Sequence, residues 1–171
     1  MNNASEPGGL SVWPSVTEAG APSDGGPDRG TAPHRILVVD DDPEIREIIA
    51  VLLKGSGYEV DTAGDGGAGW VALSAKPYDL LITDHMMPKL SGLGLLRRVR
   101  AVPMQLPCVL ISGDVPWHER ELLLLVQPGA IMEKPFSLRT LCDKVGELLS
   151  GSQACNPALA QERLQVFSGE T

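Results

Sequence analysis

Basic residues are scarce in this chain: 14 Lys and Arg stand against 22 Asp and Glu, for a formal net charge of -8. A surface that grips phosphate backbones or anionic lipid needs dense Lys and Arg, so nucleic acid and membrane are not expected as direct partners. Cysteine is sparse too. Cys108, Cys142 and Cys155 are odd in number and show neither CxxC spacing nor a nearby histidine cluster, which argues against a disulfide framework or a zinc site. They are expected as small apolar fillers in a reducing compartment. The opening MNNASEPGGLSVWP lacks the basic start and continuous apolar stretch of a signal peptide, and no later run approaches a bilayer span. A cytoplasmic location is the expectation. Also lacking is any GxxxxGK[ST] loop to cradle a nucleotide, or a Cys or His poised as a separate nucleophile.

What is present suits one ordinary core: 171 residues with 43% hydrophobic and 21% charged side chains. About a third of residues 1–33 are Gly or Pro, with almost nothing apolar at regular spacing, so this segment is expected as a disordered arm. Order is expected from Ile36, where the branched run ILVV meets Asp40, Asp41 and Asp42. Pro43 suits a first helical position behind Asp42 as N-cap. Ile45, Ile48, Ile49 and Leu52 then recur at helical spacing until the Gly55 to Gly57 stop.

The alternation repeats. YEVDTA precedes a weak helix around Trp70 to Ala75, and YDLLITD precedes a helix from about Gly92 to Ala101. PCVLISG, a helix from Pro116 to Val126, a strand at Ala130 to Glu133 and a helix from Leu138 to Leu149 follow. Five short strands alternating with five helices predict an α/β fold, a parallel sheet covered on both faces that binds its ligands at the carboxyl ends of the strands. Residues 151–171 form a tail with at most one short helix, around Pro157 to Phe167.

Four polar features fall where strands should end: Asp40 and Asp41 after the first, Asp84 after the third, Ser112 after the fourth and Lys134 after the fifth. Carboxylates within about 4 Å would repel by roughly 4 kcal/mol per pair at an effective dielectric near 20, so such a site should hold protons or recruit a cation. A hard, oxygen-loving ion such as Mg2+ fits best. With a lysine as point charge and a serine hydroxyl as donor, these are the parts of a phosphoryl-transfer site whose acceptor is the Asp84 carboxylate.

ILVVDDDP, DLLITDHMMPKLSG, VLISG and EKPF, in this order, resemble the response-regulator receiver family over about residues 34–150. The resemblance implies a flavodoxin-like doubly wound sheet of order 2-1-3-4-5. It also implies Asp84 as phosphoacceptor, with Asp41, Asp84 and the Met86 backbone carbonyl on Mg2+ and Asp40 acting through a metal-bound water. Ser112 would hydrogen-bond the phosphoryl oxygen and Lys134 would pair with it, with a cis bond before Pro135 pointing that lysine inward. Pro88 and Gly92 match the turn after the acceptor. The donor would be a histidine kinase or histidine phosphotransfer protein. Met1 and the loose arm suit a free-standing protein, although QPGAIMEKPFSLRTLCDKVGELL also resembles receivers at the C-terminus of hybrid sensor kinases.

Receivers usually carry an aromatic ring three residues before the lysine; here Ile131 stands there, which leaves open how the signal travels. His85 is expected to flank the pocket rather than move a proton. Met86 and Met87 are packing candidates, and Trp70 and Trp117 partial core or surface cover. In WHERELLLLV the apolar run Leu122 to Val126 cannot all face one core, so a leucine should be exposed. With the last strand and helix, this helix is the expected partner or homodimer surface. Competing functions are a phosphorylation-silent scaffold on the same fold and, last, a metal-dependent phosphatase, which would combine nucleophile and acid in a DxD pattern after the first strand, whereas here the nucleophile candidate, Asp84, follows the third.

Overall fold

The computed structural model describes residues 33–114 and 120–149, except the side chains of Arg120 and Glu121. Trp13, Trp117, the C-terminal tail and all but the last residue of the expected arm lie outside the described residues. Strands and helices alternate: β1 (Arg35–Val39), α1 (Pro43–Gly55), β2 (Glu59–Ala63), α2 (Gly66–Ala75), β3 (Leu80–Asp84), α3 (Gly92–Arg100), β4 (Cys108–Ser112), α4 (Arg120–Val126), β5 (Gly129–Glu133) and α5 (Leu138–Leu148). The strands form one parallel sheet in the order β2-β1-β3-β4-β5, as expected.

Because successive strand residues point to opposite faces, the sheet divides its apolar side chains between two cores. Ile36, Val38, Leu80, Ile82, Val109 and Ile111 pack with Ile49, Leu52 and Leu53 of α1 and Leu141 and Val145 of α5. Leu37, Val39, Leu81 and Leu110 pack on the other face with Leu73 of α2, Leu95, Leu96 and Val99 of α3, and Leu122 and Val126 of α4. Burying each such side chain stabilises the fold by roughly 1.5–3 kcal/mol. The central strands β3 and β4 are buried along their whole length, up to and including Asp84 and Ser112 at their carboxyl ends.

Local chemistry sets the helix starts. Asp42 caps α1, its Oδ1 accepting from the backbone N–H of Glu44 at 2.9 Å and of Ile45 at 3.3 Å. Past the end of α1, Gly57 sits at φ +89°, a conformation that favours glycine. Ser91 and Ser137 cap α3 and α5 in the same manner.

Two expectations need correction here, and a third is qualified. The second helix begins one turn earlier than expected, at Gly66. Asp65 caps it, accepting from the Ala68 N–H at 2.8 Å, and a Cβ on Gly66 would stand only 2.2 Å from the Leu90 carbonyl oxygen. That glycine marks close packing, not a helix break. Met86 does not pack: it is 73% exposed, whereas Met87 is buried. Cys108 is a buried free thiol as expected, but Cys142, equally buried, is engaged in a disulfide.

Candidate functional site

The sheet brings the expected polar residues to one edge. β1 ends immediately before Asp40, β3 and β4 end on Asp84 and Ser112, and β5 ends immediately before Lys134. In this parallel sheet, every one of those ends lies at the carboxyl edge. Asp40, Asp84 and Ser112 are all buried, Lys134 is partly so, and Asp41 faces solvent.

Asp84 is held through both oxygens. Lys134 Nζ donates to Oδ1 at 2.6 Å, and the Met86 backbone N–H donates to Oδ2, also at 2.6 Å. Lys134 is placed by its own backbone N–H, which donates to the Ser112 carbonyl at 2.8 Å, and the bond to Pro135 is cis, as the resemblance implied. The turn after Asp84 closes where the Gly92 N–H donates to the His85 carbonyl at 3.0 Å. A Cβ at Gly92 would stand 2.0 Å from the Asp84 carbonyl oxygen, so this glycine is required by close approach.

Asp40 carries the unusual burden. Its Oδ1 accepts from the Asp42 N–H at 2.9 Å, but its Oδ2 is buried without a hydrogen-bond partner, and Lys134 Nζ stays 3.9 Å away. Burial is the main cause that holds its carboxyl above the ordinary carboxylate value, with the charges of Asp84 and Asp41 adding to it. Desolvation works against the Lys134 ammonium, but its hydrogen bond to Asp84 and the charges of Asp84, Asp40 and Asp41 together outweigh that and raise its pKa.

An orphaned buried carboxylate oxygen beside an all-oxygen donor set fits a hard divalent cation. Among the described residues, no three Asp, Glu, His or Cys side chains are already gathered around a single point; Lys134 spans Asp84 and Asp40 instead.

Ser112 does not hydrogen-bond Asp84. Its Oγ donates to the Asp114 carbonyl at 2.7 Å, accepts from the Asp114 N–H at 3.3 Å and lies 3.1 Å from His85 Nδ1. His85 thus flanks the pocket, as expected, but touches a site residue that sequence reasoning did not pair with it. Arg46 was also missed: its Nη1 donates to the Asp40 carbonyl at 2.6 Å. Its position one turn into the helix after the acidic run was the available signal. Ile131 is half-buried on the α2–α3–α4 side of the sheet, with no ring at that position.

A five-stranded parallel α/β sheet of this order, with an acidic edge closed by a lysine, is the architecture of signalling receivers. Residues 36–146 match the response regulator receiver domain, and the chain belongs to that family of two-component signalling domains. It is 34% identical over 111 residues to the transcriptional regulatory protein DltR of Streptococcus agalactiae, covering 65% of this chain and 50% of that protein. With the probable transcriptional regulatory protein TcrX of Mycobacterium tuberculosis the identity is 31% over 117 residues, covering 68% and 50%. The chain therefore spans about half the length of these curated relatives.

Among solved structures, the response regulator TrrA of Thermotoga maritima in complex with Mg2+ and BeF superposes with a TM-score of 0.61 at 32% identity, covering 67% of this chain and 98% of that one. The chemotaxis protein CheY4 of Vibrio cholerae gives 0.63 at 26% identity, covering 68% and 99%. Among the described residues, no helix is long and apolar enough to cross a membrane.

Proposed function

We propose that the receiver, residues 34–150, takes a phosphoryl group from a phosphohistidine onto Asp84 and signals through protein contacts. The observation that carries this reading is the Lys134 Nζ to Asp84 Oδ1 contact at 2.6 Å, made beside the buried, unpartnered Oδ2 of Asp40. A carboxylate held by a cation and a backbone N–H is oriented for attack, and the charge that develops on the transferred oxygens has a lysine beside it. An Asp84 oxygen forms the new bond to phosphorus as the bond from phosphorus to the donor's imidazole nitrogen breaks, and that nitrogen keeps the electron pair. Mg2+, when bound, neutralises phosphoryl charge; Asp41, Asp84 and the Met86 carbonyl would hold it, with Asp40 acting through a metal-bound water.

The donor would be a histidine kinase or histidine phosphotransfer protein. An apolar groove of about 340 Å3, lined by Ile45, Ile48, Ile49, Lys134, Pro135, Phe136 and Leu138, shares Lys134 with the site and supports docking of that donor there. The receiver is the substrate of its own modification rather than an enzyme acting on others. Its net charge of -8 supports partners other than nucleic acid or membrane.

The test is incubation with a small acyl phosphate and Mg2+, followed by intact mass, repeated with Asp84→Asn. One added phosphoryl mass that needs Mg2+ and vanishes in the variant is the expected result. Ile131 in place of an aromatic ring weighs slightly for a second reading, a phosphorylation-silent scaffold, and absence of any adduct in the wild type, even at short times, would favour it over the acceptor reading.

A further inference from the structure

We propose that His85 is a positioning residue that latches the Ser112 hydroxyl in its resting orientation, so that breaking the His85–Ser112 hydrogen bond is part of the response to phosphorylation. The inference rests on the reading of Asp84 as acceptor and goes beyond it to the groups that set the balance between resting and modified states.

A serine hydroxyl has one proton and two lone pairs. The Asp114 carbonyl, 2.7 Å away, can only accept, so it takes the proton. The two lone pairs then face the Asp114 N–H at 3.3 Å and His85 Nδ1 at 3.1 Å, which requires the proton of the His85 ring to be on Nδ1. Every hydrogen-bonding capacity of Ser112 is therefore used without Asp84. To donate to a phosphoryl oxygen on Asp84, Ser112 must withdraw its only proton from Asp114, and a χ1 rotation that carries its Oγ towards Asp84 also takes that oxygen away from His85.

His85 is held in that exchange through its backbone. The His85 N–H donates to the Ile111 carbonyl at 2.7 Å and its carbonyl accepts from Gly92, which ties its backbone into the sheet on one side and the α3 turn on the other. Ser112 is tied by its own carbonyl, which accepts from the Lys134 N–H at 2.8 Å, but it ends its strand next to Gly113 and Asp114, both exposed, so the movable part is its hydroxyl. The pairing follows from register: Asp84 stands opposite Ile111, so the next residue of each strand, His85 and Ser112, also meet. Ile131 has no polar atom or ring to take part. The latch lies between β3 and β4 alone.

A net hydrogen bond of ordinary strength changes a two-state balance by about twofold to tenfold. The first measurement is the ring tautomer of neutral His85 from 15N shifts, in metal-free protein at about pH 8. The Nδ1–H form is expected in the wild type, and the Nε2–H form after Ser112→Ala. Second, affinity for beryllofluoride with Mg2+ is expected to rise about twofold to tenfold in His85→Ala. It should return towards wild type in His85→Asn, whose amide keeps a donor, and His85→Ala should have no effect in a Ser112→Ala background.

An Nε2–H ring in the wild type overturns the latch. So does an unchanged affinity in His85→Ala, or an effect of equal size without Ser112. If the wild type takes neither beryllofluoride nor phosphate, the acceptor reading itself fails, an outcome distinct from a receiver that binds both and ignores His85.

Discussion

Lys134 Nζ reaches from the end of β5 across β4 to Asp84 Oδ1 on β3, a span of two strands closed at 2.6 Å. One ammonium thus compensates two buried carboxylates, since Asp40 Oδ2 lies 3.9 Å from the same nitrogen. Lys134→Met would leave both charges without a cation. Removing one partner of a largely buried pair costs up to roughly 3–5 kcal/mol, and the partial exposure of Lys134 reduces this to about 2 kcal/mol. Chemical denaturation without Mg2+ should show that loss, and added Mg2+ should recover much of it. A Lys134→Met protein as stable as wild type without Mg2+ would remove the lysine's electrostatic role.

Asp40 gives the pH prediction. Its folded pKa is raised, so the stability associated with its protonated form is fully present below the unfolded carboxylate value near 3.9 and is lost as pH rises through the folded value. At neutral pH the buried charge is a net cost. Asp40→Asn, which keeps an oxygen for the Asp42 N–H, should therefore raise the melting temperature of the metal-free protein by a few degrees, about 1 kcal/mol. The gain should vanish towards pH 3, and stabilisation by added Mg2+ should be weaker than in the wild type.

These two residues also show what was legible beforehand. Strand ends were readable because apolar runs stop at polar residues, and the parallel sheet then places Asp40, Asp84, Ser112 and Lys134 at one edge. Partner choice was not, because it depends on register and rotamer. Ser112 and His85 are 27 residues apart and meet only because Asp84 is in register with Ile111. The start of α2 was misplaced for a related reason: glycine has poor helix propensity, yet here tertiary contact with the Leu90 carbonyl decides. Met86 and Cys142 were beyond composition-based reasoning, which cannot tell a packed thioether from an exposed one or a filler thiol from a disulfide.

Gly92 and Gly146 should respond oppositely to alanine. A Cβ at Gly92 meets the Asp84 carbonyl oxygen at 2.0 Å, which the backbone can relieve only by moving the acceptor strand or the turn; Gly92→Ala should cost about 3 kcal/mol or more. Gly146 lies within α5, without a positive φ and with nothing within 4 Å of its would-be Cβ. Gly146→Ala should stabilise by about 0.5–1 kcal/mol. Thermal unfolding of the pair checks both signs.

Arg100, on the last turn of α3, is the anchor of α4. Its guanidinium donates to the carbonyls of Leu125 at 2.9 Å, Leu106 at 3.0 Å and Val126 at 3.4 Å, satisfying the carboxyl end of α4 with a cation. It also donates to Cys108 Sγ at 3.3 Å, and burial still pushes that thiol up to about 11. Arg100→Met should cost about 2 kcal/mol and speed amide exchange in α4 before the rest of the sheet. Arg100→Lys should recover only part, because an ammonium cannot reproduce the planar fork.

The apolar run of α4 separates support from recognition. Leu122 is 1% exposed, whereas Leu123 is 42% and Leu124 74% exposed, beside a shallow cavity of about 130 Å3 lined by Leu123, Val126, Gln127, Gly129, Ala130 and Ile131. Leu122→Glu would place a charge in the α2–α3–α4 core and should unfold the domain. Leu124→Glu should change stability by less than about 0.5 kcal/mol, because it alters only surface. If this helix and β5 form the partner or homodimer surface, the same Leu124→Glu should weaken association at least about tenfold, as expected for an apolar anchor replaced by a charge. Sedimentation of the phosphorylated protein, with binding to its partner, decides the matter. A Leu124→Glu variant that folds and associates like wild type would assign the exposed leucines no role in recognition.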